Sequence, residues 1–261
     1  MVMPDNKLER PKVMVVMPAY NAEKTLERTV TEIPENVVDY ILLVDDFSTD
    51  NTVALAKSLG VEVIAHKKNM GYGANQKTCY DRSLETDAGI IIMLHPDYQY
   101  DSRLIPGFIE FIQTGVCDFM LGNRIRTRQE AMNNGMPFWK YFSNRALTVF
   151  ENIALGQNLG ECHSGFRIFR RKLIETIPYH HNSNDFVFDT QFLIQAVYFG
   201  FKVGDAPVPV RYFKDASSIN FFRSMKYGLF TLEAVLAYRA AGLGWFKRPW
   251  LQNDCQGRST S

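Results

Sequence analysis

Apolar residues recur along the first half of the chain in short blocks, each followed by a stretch with helical spacing. Val13–Met17 is such a block, ended by Pro18, and "NAEKTLERTVTEI" then places Leu26, Val30 and Ile33 on one helical face. The rhythm repeats as "YILLVDD" then "STDNTVALAKSLG", "VEVIAHKK" then "YGANQKTCYDRSLE", and "GIIIML" then "DSRLIPGFIEFIQTG", before "CDFMLGN" closes the series. Five strands alternating with four helices predict an α/β fold with a mainly parallel sheet and helices on both faces. In such a sheet ligands bind beyond the carboxyl ends of the strands. The polar clusters "PAYN", "DDFSTD", "KKNMGYG" and "HPDYQYD" each follow a strand directly, so all four should converge on one sheet edge.

From about Arg126 the rhythm changes. "FWKYFSNRALTVFENIALG" predicts a long helix, "SGFRIFRRKLIETI" a strand and a helix, "NDFVFDTQFLIQAVYFG" a helix, and "FKVGDAPVPVRYF" two short strands. The helix from Ser218 carries Phe222, Met225, Leu229, Leu232 and Leu236 at spacings of three and four, a stripe expected to pack on the core. The expected organisation is one integrated catalytic domain in two halves, 1–125 for a donor and 126–261 for an acceptor, the second ending in this amphipathic helix.

Composition narrows the class. With 46% hydrophobic and 22% charged residues and a net charge of +1, the chain is neither disordered nor built to coat nucleic acid. Four cysteines without a C-x-x-C pair, and no apolar leader, point to a cytoplasmic setting. The longest uncharged stretch, Thr190–Phe201, is about a dozen residues, short of the ~20 that a membrane-spanning helix needs.

Several motifs suggest chemistry. Asp45 and Asp46 end a buried strand, and two adjacent carboxylates repel unless a ligand or cation separates them. "NMGYGANQK" matches neither a Walker loop nor a dinucleotide fingerprint; a tight turn at Gly71 that brings Asn69 and Lys77 near a ligand serves at least as well. In "HPDYQYD", Asp97 and Gln99 would project two oxygen ligands to one side if the backbone were extended, which suits Mg2+ or Mn2+ shared with a diphosphate. His95 would add a nitrogen ligand and favour Mn2+, or else pack at the strand end.

"MPAYNAEKTL", "LLVDDFSTDNT", "KNMGYGANQKT", "HPDYQYD", "GNR" and "SGFRIFRR", in this order, resemble the family 2 glycosyltransferases of GT-A fold, and within them the polyprenyl- or dolichyl-phosphate sugar synthases. The resemblance covers roughly residues 12 to 225. It implies inverting transfer of a hexose from a UDP- or GDP-linked sugar with a divalent cation, Mg2+ or Mn2+. It places Pro18, Tyr20 and Asn21 at the nucleotide, Asp45 and Asp46 on base and ribose, and Asp97 and Gln99 on the metal. His95 stands where the family usually has the first Asp of its D-x-D-x-Q pattern.

The acceptor divides the mechanisms. A lipid phosphate is already anionic and needs cations to hold it, for which Arg124, Lys140, Ser143, Arg145, Ser164, Arg211 and Lys214 are the candidates. A saccharide hydroxyl, as in surface polysaccharide synthesis, needs a general base, and Asp189 is the candidate. "SGFRIFRR" favours polyprenyl phosphate, and Arg124, Asp97 and Asp189 form the expected catalytic set. A sugar-nucleotide-binding protein that lost catalysis at His95 is the non-enzymatic alternative. The last helix and the following "GWFKRPWL" mix aromatic and basic residues, which suits peripheral contact with the cytoplasmic face of a membrane or a homo-oligomer interface.

Overall fold

The structure is a computed structural model and describes residues 10–125, 127–133, 136–211, 221–245 and 248–252, the side chains of 221–224 excepted. Lys214 lies outside the described residues. The strands are β1 (Lys12–Ala19), β2 (Tyr40–Asp45), β3 (Glu62–Ala65), β4 (Ala88–Leu94), β5 (Phe119–Asn123), β6 (Phe166–Arg170) and β7 (Val203–Pro207). They form one sheet in the order β3-β2-β1-β4-β6-β5-β7. Every neighbouring pair is parallel except those made by β6, which runs antiparallel to both β4 and β5.

The alternation along each strand explains why both faces are covered. In β1, Met14 and Val16 enter one apolar cluster, while Val13, Val15 and Met17 enter the other. The second cluster lies under α1 (Glu23–Thr31), α2 (Thr52–Ser58) and α4 (Ile105–Gln113). The first lies under α3 (Tyr72–Leu84), α7 (Arg171–Thr176), α8 (Phe188–Tyr198) and α9 (Phe221–Gly242), with the end of α6 (Phe138–Leu155) added. Continuous apolar strands are what a sheet buried on both faces requires.

Three details differ from the sequence reading. The connection after β5 holds a short helix, α5 (Arg128–Asn133). The second of the two short strands expected near Val210 is reduced to a single bridge with Tyr100. The third concerns α9, whose described large residues do not pack on the core as expected: Met225, Leu229 and Leu236 are exposed and Leu232 is half-buried, the side chain of Phe222 lies outside the described ones, and the buried face consists of Thr231, Ala234, Val235, Ala237 and Ala241. Small side chains let the helix sit close to its neighbours, so its packing selects them over the bulkier stripe.

The antiparallel course of β6 matters for function. Leu94 is in register with Phe166, so Gly165, just before β6, meets His95, just after β4. A strand start is thereby brought to an edge otherwise made of strand ends.

Candidate active site

A cavity of ≈ 200 Å³ opens at this edge. Asp97, Gln99, His95, Tyr72 and Asp189 line it, together with Arg124, Lys140 and Ser143. Residues from the ends of β4 and β5, the start of β6 and helices α3, α6, α8 and α9 therefore meet in one place.

Asp97 and Gln99 reach the cavity by a turn. Tyr98 has φ +57°, and the Gln99 amide donates to Asp97 Oδ1 at 3.1 Å, so the extended backbone assumed from the one-residue spacing is replaced by a tight Asx-type turn. The turn is braced from outside: Arg211 donates to Glu32 Oε2 at 2.8 Å, and its guanidinium lies 4.3 Å from the Tyr98 ring centre. Burial alone would raise the Glu32 pKa, but Arg211 and the Tyr98 hydroxyl hold it below the usual value.

A chain of buried hydrogen bonds starts at His95. The Tyr72 hydroxyl donates to Asp189 Oδ2 at 2.7 Å and lies 2.9 Å from His95 Nε2. Its one proton is thus used on Asp189, so His95 Nε2–H is the donor in the other bond and Nδ1 carries the lone pair. Burial pushes the imidazole pKa down, which keeps the ring neutral. Gly165 makes room for it, since a Cβ there would come within 2.8 Å of Nδ1.

Asp189 is held from three sides. Gln76 Nε2 donates to Oδ1 at 2.8 Å, Tyr72 occupies Oδ2, and Arg167 Nη1 stands 3.3 Å from Oδ1. Arg167 is wholly buried and also donates to the carbonyls of Ser164 and Asp189. Burial opposes its charge most strongly, but Asp189 together with Tyr72, Tyr80 and Tyr227 raises its pKa.

The cationic side of the cavity contains its own counter-ion. Arg124 forks onto Glu161, a fully buried carboxylate that also accepts the Arg124 amide at 2.8 Å and Asn144 Nδ2 at 3.1 Å. Burial would raise the Glu161 pKa, yet Arg124 holds it low. Burial lowers the Lys140 pKa, and the charge of Arg124 lowers it further. An entering anion would relieve both cations.

The nucleotide candidates form an adjoining group. Asn21 donates its amide to Ser48 Oγ at 2.8 Å, and its side chain accepts from the Thr49 amide at 2.9 Å, tying the end of β1 to the end of β2. Asp45 accepts from the Ser48 amide and hydroxyl. Asp46 accepts from the amides of Met70 at 2.7 Å and Gly71 at 2.9 Å and contacts His66 Nδ1 at 2.9 Å, while Asn69 donates to its carbonyl. Chain donors therefore keep these carboxylates apart without a ligand. Pro18 is half-buried in β1 opposite Val44, and Tyr20 is exposed beside it.

Four expected ligand residues are engaged elsewhere. Lys77 donates to Asn182 O at 2.5 Å and Asn184 Oδ1 at 2.7 Å, clamping the segment before α8. Ser164 is fully buried and bonds to the Phe166 amide at 3.2 Å. Arg145 donates to Gly160 O, and Arg211 braces Tyr98 as described. None of the four lines the cavity. Conversely, Tyr72, Gln76, Glu161 and Arg167 escaped the sequence reading. Arg167 had a signal: a lone charge inside the apolar strand "FRIF" must find a buried partner.

The donor set suits one hard cation. Asp97 Oδ2 is not used by the turn, Gln99 adds an amide to the same cavity lining, and Mg2+ commonly takes one or two protein oxygens and fills the rest of its shell with phosphate and water. Among the described residues no three His, Cys, Asp or Glu converge as an all-protein cage.

A family model described as glycosyl transferase family 2 matches residues 14–177, from β1 through α7. The chain belongs to this family. Among its relatives is a UDP-N-acetylglucosamine–dolichyl-phosphate N-acetylglucosaminyltransferase of Methanococcus voltae, 25% identical over 77% of this chain and 86% of that protein. Another is a dolichyl-phosphate hexose transferase of Haloferax volcanii, 26% identical over 76% of this chain and 82% of the relative. The fold is shared with glucosyl-3-phosphoglycerate synthase of Mycobacterium tuberculosis, crystallised with Mn2+, UDP and phosphoglyceric acid, at a TM-score of 0.68 and 17% identity over 87% of this chain and 78% of that one. The sheet and its flanking helices are thus the GT-A arrangement expected from the motifs, and the cavity of this family 2 glycosyltransferase opens at the edge where the strands end.

Proposed function

We propose that this glycosyltransferase moves a hexose, with inversion, from a UDP- or GDP-linked sugar to polyprenyl or dolichyl phosphate, assisted by Mg2+ or Mn2+. The observation that carries the acceptor assignment is the presence of Arg124 and Lys140 in the lining of the cavity that also holds Asp97 and Gln99. Two cations suit an anionic acceptor, while Asp189, the candidate base, already accepts hydrogen bonds on both oxygens. Names of the methanococcal and haloarchaeal relatives point to the same acceptor class.

In this reading the nucleotide lies against the loops after β1, β2 and β3, and its diphosphate reaches Asp97. A bound divalent ion, held by Asp97 and Gln99, would supply positive charge to the departing diphosphate. Arg124 and Lys140 hold the acceptor phosphate, one of whose oxygens attacks the anomeric carbon as the bond to the diphosphate breaks. The nucleophile carries no proton, so no base is required. Tyr72, fixed between His95 and Asp189, shapes the wall where the sugar sits and keeps Asp189 in place. The buried Arg124–Glu161 pair makes the net charge of the acceptor wall modest, so that an anion can bind and the product can leave.

The experiment is a panel of nucleotide sugars offered with a short polyprenyl phosphate, with free polyprenol and with a saccharide, products being identified by mass. Glycosylated prenyl phosphate is the expected product; a glycosylated saccharide alone would move Asp189 to the role of base.

A further inference from the structure

Large apolar side chains left exposed are concentrated on two neighbouring helices. On α6, Phe138, Phe142, Ala146, Val149 and Ile153 follow each other at spacings of four, four, three and four, forming an uncharged solvent-facing stripe. Phe142 is 65% and Ile153 76% exposed. On α9 Met225, Leu229 and Leu236 do the same around a half-buried Leu232, with Leu229 at 63% exposed.

The two stripes open to the same side. The helices touch where Gly228 approaches Leu147 and where Arg239 donates to Ala154 O, so they run in the same direction. At 100° per residue, Leu147 and Ala154 lie round one side of the α6 stripe, and Gly228 and Arg239 lie round the opposite-handed side of the α9 stripe. Parallel helices joined in that way present both stripes as one face.

From this geometry we infer that the α6–α9 face docks on the surface of an anionic phospholipid bilayer. Charge supports lipid over a second copy: apart from Lys140, which lines the cavity, α6 and α9 hold four basic residues and two acidic ones, of which Glu151 is wholly buried and Glu233 is paired with Arg248 at 2.9 Å. Lys226, exposed although it pairs with Asp185 at 3.2 Å, lies on one side of the α9 stripe, and Arg239, exposed beyond its bond to Ala154 O, lies on the other, the pattern of an interfacial helix. Two copies joined by this face would bring like charges together. Continuity supports it as well. Trp139 and Leu147 of α6 and Tyr227 of α9 line the cavity, so the hydrocarbon of a lipid acceptor whose phosphate is held there would leave past these two helices and cross this face. This second argument rests on the proposed acceptor. Trp245, 78% exposed just after α9, extends the face with an aromatic side chain suited to headgroup depth. Trp250 does not belong to it, being buried with its carbonyl bonded to Gln195, and Phe246 lies outside the described residues.

The test is flotation of the full chain with vesicles of phosphatidylcholine and phosphatidylglycerol in equal parts, and with phosphatidylcholine alone. The chain is expected to float with the mixed vesicles, less with the neutral ones, and with a blue shift of tryptophan emission. The Phe142→Glu/Leu229→Glu double variant should lose at least ~10-fold in bound fraction, because each change removes an apolar side chain from the contact, while its melting temperature and its transfer to a short water-soluble prenyl phosphate stay as in the parent. Wild-type chain that stays at the bottom, or a variant that floats equally well, overturns the inference. Light scattering that finds a dimer which the variant turns into monomer assigns the face to a second copy and also overturns it. Flotation of a chain that glycosylates no lipid phosphate leaves this surface standing and removes the acceptor assignment.

Discussion

Asp189→Asn is the obvious test of a catalytic base, but the buried network predicts a different outcome. Arg167 is fully buried and Asp189 is its counter-ion at 3.3 Å. At that distance and an effective dielectric constant of about 20, the Coulomb attraction is about 5 kcal/mol. Removing one partner of a buried pair typically costs ~3–5 kcal/mol, because the remaining charge stays desolvated. Asparagine also offers one acceptor oxygen where Tyr72 and Gln76 now use two. For a chain of this size 1 kcal/mol moves the melting temperature by about 2–4 °C, so the variant should melt about 6–20 °C lower. Calorimetry and urea unfolding at pH 7 measure this directly. The Arg167→Met/Asp189→Asn double variant should recover a large part of the loss, since an apolar side chain needs no counter-ion. A melting temperature within about 2 °C of the parent, or a double variant less stable than Asp189→Asn alone, would refute the reasoning. Loss of turnover in Asp189→Asn therefore does not by itself identify a base.

Other consequences are simpler to state. Gly73→Ala would drive a Cβ into Ser183 O and to 2.9 Å from Phe188 Cβ, and thermal unfolding should show a loss of ~1–3 kcal/mol. Glu161→Gln should destabilise at neutral pH; because Arg124 holds the Glu161 pKa below its ordinary 4.5, the parent's advantage is full above that value and disappears as pH falls through the lower folded pKa, which melting curves between pH 7 and 3 will trace. Asp97→Ala removes one hydrogen bond to Gln99, so it should melt within about 3 °C of the parent while metal-dependent transfer falls at least ~100-fold.

The convergence of polar clusters on one edge was legible because strand and helix periods differ and ligands in such sheets lie at strand ends. Where single residues point was much less so. Lys77 follows a glycine turn, a position that suggests a ligand, yet its ammonium is drawn to Asn182 and Asn184, more than a hundred positions away. Ser164 sits in the motif that suggested a phosphate site, but the antiparallel entry of β6 buries it and leaves Gly165 as the residue that matters to His95. The spacing of Asp97 and Gln99 implied extended backbone, and only the left-handed conformation of Tyr98 shows the turn. On α9 the apolar stripe was visible, but not its direction, because periodicity reports that a helix has two faces and not which neighbour covers one of them. Arg167 and Glu161 are buried charges whose partners come from other elements, and local pattern carries no information about such pairs.

The central claim is hexose transfer to a prenyl phosphate at the Asp97 edge of the cavity. Its most direct test is the mass of the product formed from nucleotide sugar and short-chain polyprenyl phosphate with Mn2+, for the parent chain and for Asp97→Ala. The account predicts prenyl phosphate heavier by one hexose, with one nucleoside diphosphate released per turnover, for the parent and at most a trace for the variant. Product from Asp97→Ala at the parent's rate, or glycosylation of a saccharide with prenyl phosphate untouched, would contradict it.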